Sequence, residues 1–245
     1  MKTSEALGIA DVSVKTSEAL FRERKNVSMK KIILTIMVAF GSLFGVNLQT
    51  LVDECKNDNF ASCSDVGTVL YQAGELETAV QFWQKACDGK NPSGCQNLGV
   101  SYHFGQGVEK DSKKAYELWN FACNANEYNA CYNLGNIYKE GVTVQKNDIK
   151  ARNYYDKACN KNIWLACYSL GDIYIAEGQN VQINAMGIDF YKKACENGKI
   201  GISCFKLGNI YDKGIIAKKS NSKAENYYKQ ACQNGFKDAC EKVRN

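Results

Sequence analysis

Twelve cysteines recur along this chain so regularly that few folds remain open to it. They stand at positions 55, 63, 87, 95, 123, 131, 159, 167, 195, 204, 232 and 240, in six close pairs. Members of a pair are eight residues apart, except Cys195 and Cys204, which are nine apart. From the second pair onward the leading cysteines, at 87, 123, 159, 195 and 232, keep a period of 36 or 37, whereas the first interval is a short 32. A fixed period of this size is the sequence mark of stacked helical hairpins. So many thiols are unusual in a reducing compartment unless they bind metal, and an even count reads as a disulfide framework. Zinc is a poor alternative, because no C-x-x-C occurs and the only histidine is His103. No metal and no cofactor are expected.

The pair spacing can be tested against helix geometry. Residues eight apart on one straight helix would lie about 12 Å apart, beyond disulfide reach, so the two members must flank a turn. Asp88-Gly89, Asn197-Gly198 and Asn234-Gly235 stand where that turn is needed, and a small residue precedes the second cysteine at Gly94, Ala130, Ala166, Ser203 and Ala239. Closing so short a loop is worth about 2 to 3 kcal/mol per bridge in the chain-entropy account. The spacing alone leaves other connectivities open, such as Cys63 with Cys87.

Between the pairs a second pattern repeats. An L-G-x-x-Y element follows the second cysteine at Leu98-Gly99 with Tyr102, Leu134-Gly135 with Tyr138, Leu170-Gly171 with Tyr174 and Leu207-Gly208 with Tyr211. With the cysteine three before the Leu, these positions have helical spacing and predict the first helix of each unit. Glycine inside a helix costs roughly 1 kcal/mol relative to Ala, so its recurrence predicts close approach of a neighbouring helix. Glycines then end the first helix, at 74, 105, 107, 141, 178 and 214. A second helix closes on an aromatic or apolar pair followed by Ala-Cys, as in Phe82-Trp83 with Ala86-Cys87 and Tyr154-Tyr155 with Ala158-Cys159. Small residues at 79, 115, 151, 187 and 224 complete its buried stripe, and the single proline, Pro92, leaves these helices unbroken. The expected fold class is all-α, an α/α superhelix or solenoid of disulfide-stapled hairpins.

C-x-x-L-G-x-x-Y, the aromatic pair and A-C-x7-C at a 36-residue period resemble the Sel-one-like repeats of the Helicobacter cysteine-rich protein family, relatives of the tetratricopeptide repeat. The likeness runs from about Leu51 to Asn245. It implies a right-handed superhelix of αα-hairpins, one bridge per repeat, and secretion or a periplasmic location. Departures are local: the first unit is four residues short and carries Val66-Gly67 and Leu70 at the motif positions. The fourth has Gly187 and an irregular Gln179 to Asn184 loop. Family members are described as penicillin-binding proteins or weak β-lactamases, and as secreted factors recognised by a host.

Compartment is read from the N-terminal region. Met29-Lys30-Lys31 and the uncharged, largely apolar run up to Val46 have the pattern of a secretory signal. A membrane span needs about 20 apolar residues, which disfavours an uncleaved anchor. Lys-Thr-Ser-Glu-Ala-Leu occurs twice ahead of it, at Lys2 to Leu7 and Lys15 to Leu20, so translation is expected to start at Met29. The expected division is 1–28 as an N-terminal extension ahead of that start, 29–46 as signal peptide, and 47–245 as repeat domain with a C-terminal cap. Beyond residue 46 the chain has seven fewer Lys/Arg and four fewer Asp/Glu than the whole, leaving 24 against 22 and a net charge of +2. That balance gives no electrostatic case for nucleic acid. No stable membrane association is expected once the signal is removed.

Candidate chemistry is sparse. Ser203-Cys204-Phe205-Lys206 and Ser220-Asn221-Ser222-Lys223 satisfy the S-x-x-K of serine β-lactamases, but the chain has no K-T-G and a helical repeat offers no strand for one. His103, between Tyr102 and Phe104, is expected to be a partly buried helix residue. The catalytic residues of any enzyme here are unknown. A more informative feature is a polar stripe at positions two, five and nine after the second cysteine, one face of the first helices. Asn97, Asn133, Asn136, Asp172 and Asn209 on it are expected to line a groove, since an amide both donates and accepts and so can hold an extended backbone. The expected function is a secreted or periplasmic scaffold for a protein, peptide or muropeptide-like, cell-wall-derived ligand. The alternative, implied by the resemblance, is a β-lactamase or penicillin-binding protein that takes β-lactams.

Overall fold

The computed structural model describes residues 48–178 and 180–244. The expected extension and signal peptide, at 1–28 and 29–46, lie outside the described residues. Twelve α-helices follow one another, with no strand among the described residues. None of them is long and apolar enough to cross a membrane. They are α1 (Leu48–Lys56), α2 (Phe60–Gln72), α3 (Leu76–Asp88), α4 (Pro92–Phe104), α5 (Ser112–Asn124), α6 (Tyr128–Glu140), α7 (Asp148–Cys159), α8 (Trp164–Glu177), α9 (Val181–Lys192), α10 (Gly201–Lys213), α11 (Asn221–Gln233) and α12 (Lys237–Arg244). A π-helical turn, Lys193–Asn197, continues α9. Two compact units are formed, one reaching Gly94 and including Gln106–Glu109, the other comprising Cys95–Gly105 and everything from Lys110 on.

Helix starts are set by side-chain caps. Asp111, Asn147, Asn180 and Ser220 each accept a hydrogen bond from the backbone N–H three residues on, satisfying a donor that a helix leaves orphaned. Asn180 thereby starts α9 at Val181. Of the irregular loop expected over Gln179 to Asn184, Gln179 lies outside the described residues and Val181 to Asn184 form the first turn of the helix.

The recurring glycine of the first helix admits the aromatic ring of the second. In the first unit a Cβ on Gly67 would lie 2.5 Å from the Trp83 ring. In the second unit the same addition at Gly99, Gly135, Gly171 and Gly208 would meet Trp119, Tyr155, Tyr191 and Tyr228 at 2.4–2.5 Å. The leucines beside these glycines, Leu98, Leu134, Leu170 and Leu207, are fully buried, as are Ala115, Ala151 and the alanines before Cys123 and Cys159. Tyrosines of the first helices also stack on the second: Tyr138 on Tyr154, Tyr174 on Phe190 and Tyr211 on Tyr227, with centroids 5.5–5.8 Å apart.

Bridges Cys55–Cys63, Cys123–Cys131, Cys159–Cys167, Cys195–Cys204 and Cys232–Cys240 join the end of one helix to the start of the next across Cα distances of 4.7–4.9 Å. Cys87 and Cys95 are disulfide-bonded too, and no described cysteine is free. The bond of Cys63 to Cys55 disposes of a Cys63–Cys87 pairing. The corners differ from expectation in one respect. Gly89 and Gly198 have ordinary φ values of −76° and −86°, and the left-handed residues are Asp58, Lys90, Asn126, Asn162 and Lys199, with Gly235 in the last corner. Gly89 and Gly198 are small for a different reason: a Cβ would lie 2.2 Å from the Phe60 ring and 2.3 Å from the Trp164 Cβ. Each left-handed corner is closed by a backbone bond reaching five residues back, such as Glu127 N–H to Ala122 O and Ile163 N–H to Ala158 O. At Cys195 the bond from Ile200 reaches six back, to Ala194, and Gly198 N–H reaches Lys193 O. The π turn thus absorbs the ninth residue and leaves the Cα separation of the bridge at 4.9 Å.

Neighbouring hairpins are also tied by a lysine. Lys157 of α7 donates to the Cys123 carbonyl at the end of α5 (2.8 Å), and in the first unit Lys85 of α3 donates to the Cys55 carbonyl at the end of α1 (2.7 Å). A cation at the negative end of a helix dipole satisfies a carbonyl the helix cannot.

Candidate functional site

The polar stripe is built in the second unit from the first helices α4, α6, α8 and α10, and its chemistry is set by the ring beneath it. Trp119 is buried and donates its Nε1–H to the Gln96 carbonyl (3.1 Å), so nothing above it needs to accept, and the stripe residue there is Val100. Where the ring is tyrosine, the hydroxyl needs an acceptor and takes it from the stripe. Tyr155 donates to Asn136 Oδ1 (2.7 Å), Tyr191 to Asp172 Oδ1 (2.6 Å) and Tyr228 to Asn209 Oδ1 (2.8 Å). Three of the five expected groove residues therefore anchor buried tyrosines. Asn136 and Asn209 keep their amide N–H groups for a further partner.

The stripe opens into two cavities. One, of about 190 Å³, is lined by Val100, His103 and Phe104 of α4, Trp119, and Asn133, Asn136 and Glu140 of α6. Asn133 and Asn136 are brought together there; Asn97, half-buried on α4, is not among its lining residues. His103 is half-buried, as expected, with its ring 5.3 Å from Trp119 and edge-on to Phe104 at 4.7 Å. Burial pushes the imidazole pKa down, against the attraction of Glu140, so the ring is neutral at pH 7. Its Nδ1 is buried without a hydrogen-bond partner.

The second cavity, of about 350 Å³, is lined by Ile175, Tyr191, Lys206, Asn209, Ile210, Lys213, Ile215 and Ile216. At its edge the Lys206 ammonium pairs with Asp172 Oδ1 at 2.6 Å and lies over the rings of Tyr168 and Tyr191. Burial works to raise the Asp172 carboxyl, but the bonds from Lys206, Tyr191 and Tyr168 outweigh it and hold the group below the usual carboxylate range. Lys206 is likewise raised: burial opposes its charge, and Asp172 more than compensates. Lys206 and Lys213 fall on the predicted face at positions two and nine, but the sequence offered no sign of the isoleucines gathered between them. Ile215 and Ile216 lie in the loop after Gly214, outside any helical periodicity.

Neither S-x-x-K pair forms a serine–lysine dyad. Ser203 is fully buried while the Lys206 ammonium is engaged by Asp172. Ser220 caps α11 by accepting from Lys223 N–H, and the Lys223 ammonium sits over the Tyr211 ring. Among the described residues no three His, Cys, Asp or Glu side chains gather where a metal ion would be held.

Five consecutive stretches, residues 61–91, 92–127, 129–163, 164–199 and 201–236, match the Sel1 repeat. A 49-residue segment is 47% identical to HcpC of Helicobacter pylori, whose name suggests a β-lactamase, and the corresponding protein of a second strain is 49% identical over 45 residues. These matches cover 20% and 18% of this chain and only 17% and 16% of HcpC. Among solved structures, a Sel1 repeat protein from Oxalobacter formigenes superposes with a TM-score of 0.67 at 26% identity, over 74% of this chain and 75% of that one. A protective antigen of uropathogenic Escherichia coli with the same repeat fold superposes with a TM-score of 0.68 at 22% identity, over 89% of this chain and 49% of that one. The repeat matches, the glycine–aromatic seat they share and the disulfide corners agree with one another: the chain belongs to the Sel1-repeat family.

Proposed function

We propose that this protein is an extracytoplasmic repeat scaffold, secreted or periplasmic, that holds an extended peptide or protein segment along the polar stripe of α4, α6, α8 and α10. The observation that carries the reading is the stripe itself: amide and ammonium donors line up over a rigid floor of buried rings and open into two cavities. A backbone laid along them would find donors for its carbonyls in Asn136 and Asn209, held in place because the same side chains anchor tyrosines, and in Asn133 beside them. A receptor so preorganised loses little entropy on binding. The bridges support the compartment, since their cysteines are almost all buried and bonded, a state that persists where the surroundings are oxidising. A cell-wall-derived peptide belongs to the same chemical class of ligand. Hydrolysis of a β-lactam finds no support in the two serine–lysine pairs.

The test is selection of random heptapeptides displayed on phage against the oxidised full chain, followed by affinity measurement on synthetic copies. Asn133→Arg, which fills the smaller cavity, and Lys206→Glu are each expected to weaken the selected peptides at least tenfold while the helical circular dichroism stays unchanged. Peptides that bind both variants as they bind the parent would place recognition elsewhere and end this reading.

A further inference from the structure

The larger cavity has a composition that narrows its occupant, and the inference rests on the peptide-scaffold reading above. Its walls are aliphatic, with Ile175 from α8, Ile210 from α10 and Ile216 from the following loop. Its polar complement consists of donors. Lys206 gives one bond to Asp172 and retains further N–H groups, and Asn209 has its oxygen occupied by Tyr228 and so presents its amide N–H. Lys213 is exposed at the C-terminal end of α10. Among the described residues no carboxylate lines the cavity: Asp172 at its edge is paired with Lys206, Asp212 accepts from the Tyr228 hydroxyl at 3.4 Å, and Lys213 puts a positive charge on the wall itself. The helix spacing sets Lys206 and Lys213 about 10 Å apart, two turns, on either side of the isoleucines. At 350 Å³ the cavity is large enough for a branched side chain with part of its backbone, at the small end of ligand sites. Ile215, which is 82% exposed, lines the entrance and has apolar surface still to bury.

We propose that this cavity reads a branched aliphatic residue flanked by acidic ones within an extended peptide, the aliphatic group seated among Ile175, Ile210 and Ile216 and a neighbouring carboxylate at Lys213. A basic neighbour would meet Lys213 with like charge, and a small polar residue would leave the isoleucine walls wet. The cavity therefore selects by repulsion and by vacancy as well as by attraction.

The experiment is fluorescence anisotropy on the oxidised full chain with three amidated, fluorescein-labelled peptides that differ only at a central tripeptide: Glu-Ile-Glu, Lys-Ile-Lys and Glu-Ser-Glu. Glu-Ile-Glu is expected to bind at least tenfold more tightly than either of the others, with an advantage over Lys-Ile-Lys that shrinks as salt is added. Lys213→Glu, at an exposed position, is expected to reverse the charge preference, and Ile215→Asp to weaken Glu-Ile-Glu at least threefold. Equal affinities for the three peptides, or a preference untouched by Lys213→Glu, overturn the proposal. So does a peptide with Ile at a free C-terminus that binds tenfold better than the internal motif, since the site would then be a terminus reader. If phage-selected peptides still depend on the stripe while these three bind alike, only this inference falls. If no peptide of any kind binds, the scaffold reading falls with it.

Discussion

The Trp119 and Tyr191 neighbourhoods of the second unit share a backbone plan and differ in one hydrogen bond. Trp119 spends its donor on a main-chain carbonyl, and the surface above it holds no ion pair: Val100, a neutral His103, Asn133 and the exposed ring of Phe104, with Glu140 at the rim. Tyr191 spends its hydroxyl on Asp172, whose charge then draws in Lys206. The choice of a buried ring thus determines whether the groove residue above it must accept a hydrogen bond, and at Tyr191 the acceptor is a carboxylate that brings an ion pair with it.

That comparison can be broken most severely at its shared element. Gly171→Ala would drive a methyl to 2.4 Å from the Tyr191 ring, and overpacking of this kind costs about 1 to 3 kcal/mol. The thermal midpoint by circular dichroism should fall by roughly 2 to 4 °C per kcal/mol lost, and Gly99→Ala should do the same beneath Trp119. Next in size is Asp172→Ala, which strips the acceptor from a buried tyrosine and the partner from Lys206; urea titration should show a loss of about 1 to 3 kcal/mol. Val100→Ala, the matching change above Trp119, leaves the ring's bond intact and should cost less.

Acid should separate the two regions by pH. Asp172 has a depressed folded pKa, so its contribution is present above the ordinary carboxylate range and is lost as pH falls below about 4. His103 is depressed by burial, so the unfolded chain binds the proton first and stability declines as pH falls through about 6.5. His103→Gln should flatten the stability profile between pH 7 and 5, and Asp172→Asn should flatten it below 4. Smallest of all, Tyr228→Phe removes the hydroxyl held by Asn209, whose pKa burial and Asp212 push up to about 12. A loss of about 0.5 to 1.5 kcal/mol is expected in the same titration.

Much of this was legible in the chain. The period, the turn between paired cysteines and the close approach at each motif glycine followed from spacing and helix geometry alone. What escaped were relations between residues nineteen apart, such as Tyr191 with Asp172. Their trace was visible all the same: Thr68 and Val100 stand opposite tryptophans, whereas Asn136, Asp172 and Asn209 stand opposite tyrosines. The left-handed corners escaped because Lys90 and Lys199 are unexpected there, whereas Asp58, Asn126 and Asn162 carried the usual tendency toward that conformation. The isoleucine cavity was hidden because two of its four isoleucines, Ile215 and Ile216, come from a loop without periodicity.

The shortness of the bridges also bears on how the molecule is made. The five that join α1 to α2, α5 to α6, α7 to α8, α9 to α10 and α11 to α12 span only eight or nine residues. Both thiols of each therefore leave a ribosome or a translocation pore almost together, before any thiol of the following hairpin. Oxidation in order of emergence would give the native partners, each hairpin being fastened to the start of its successor before the next pair of thiols arrives.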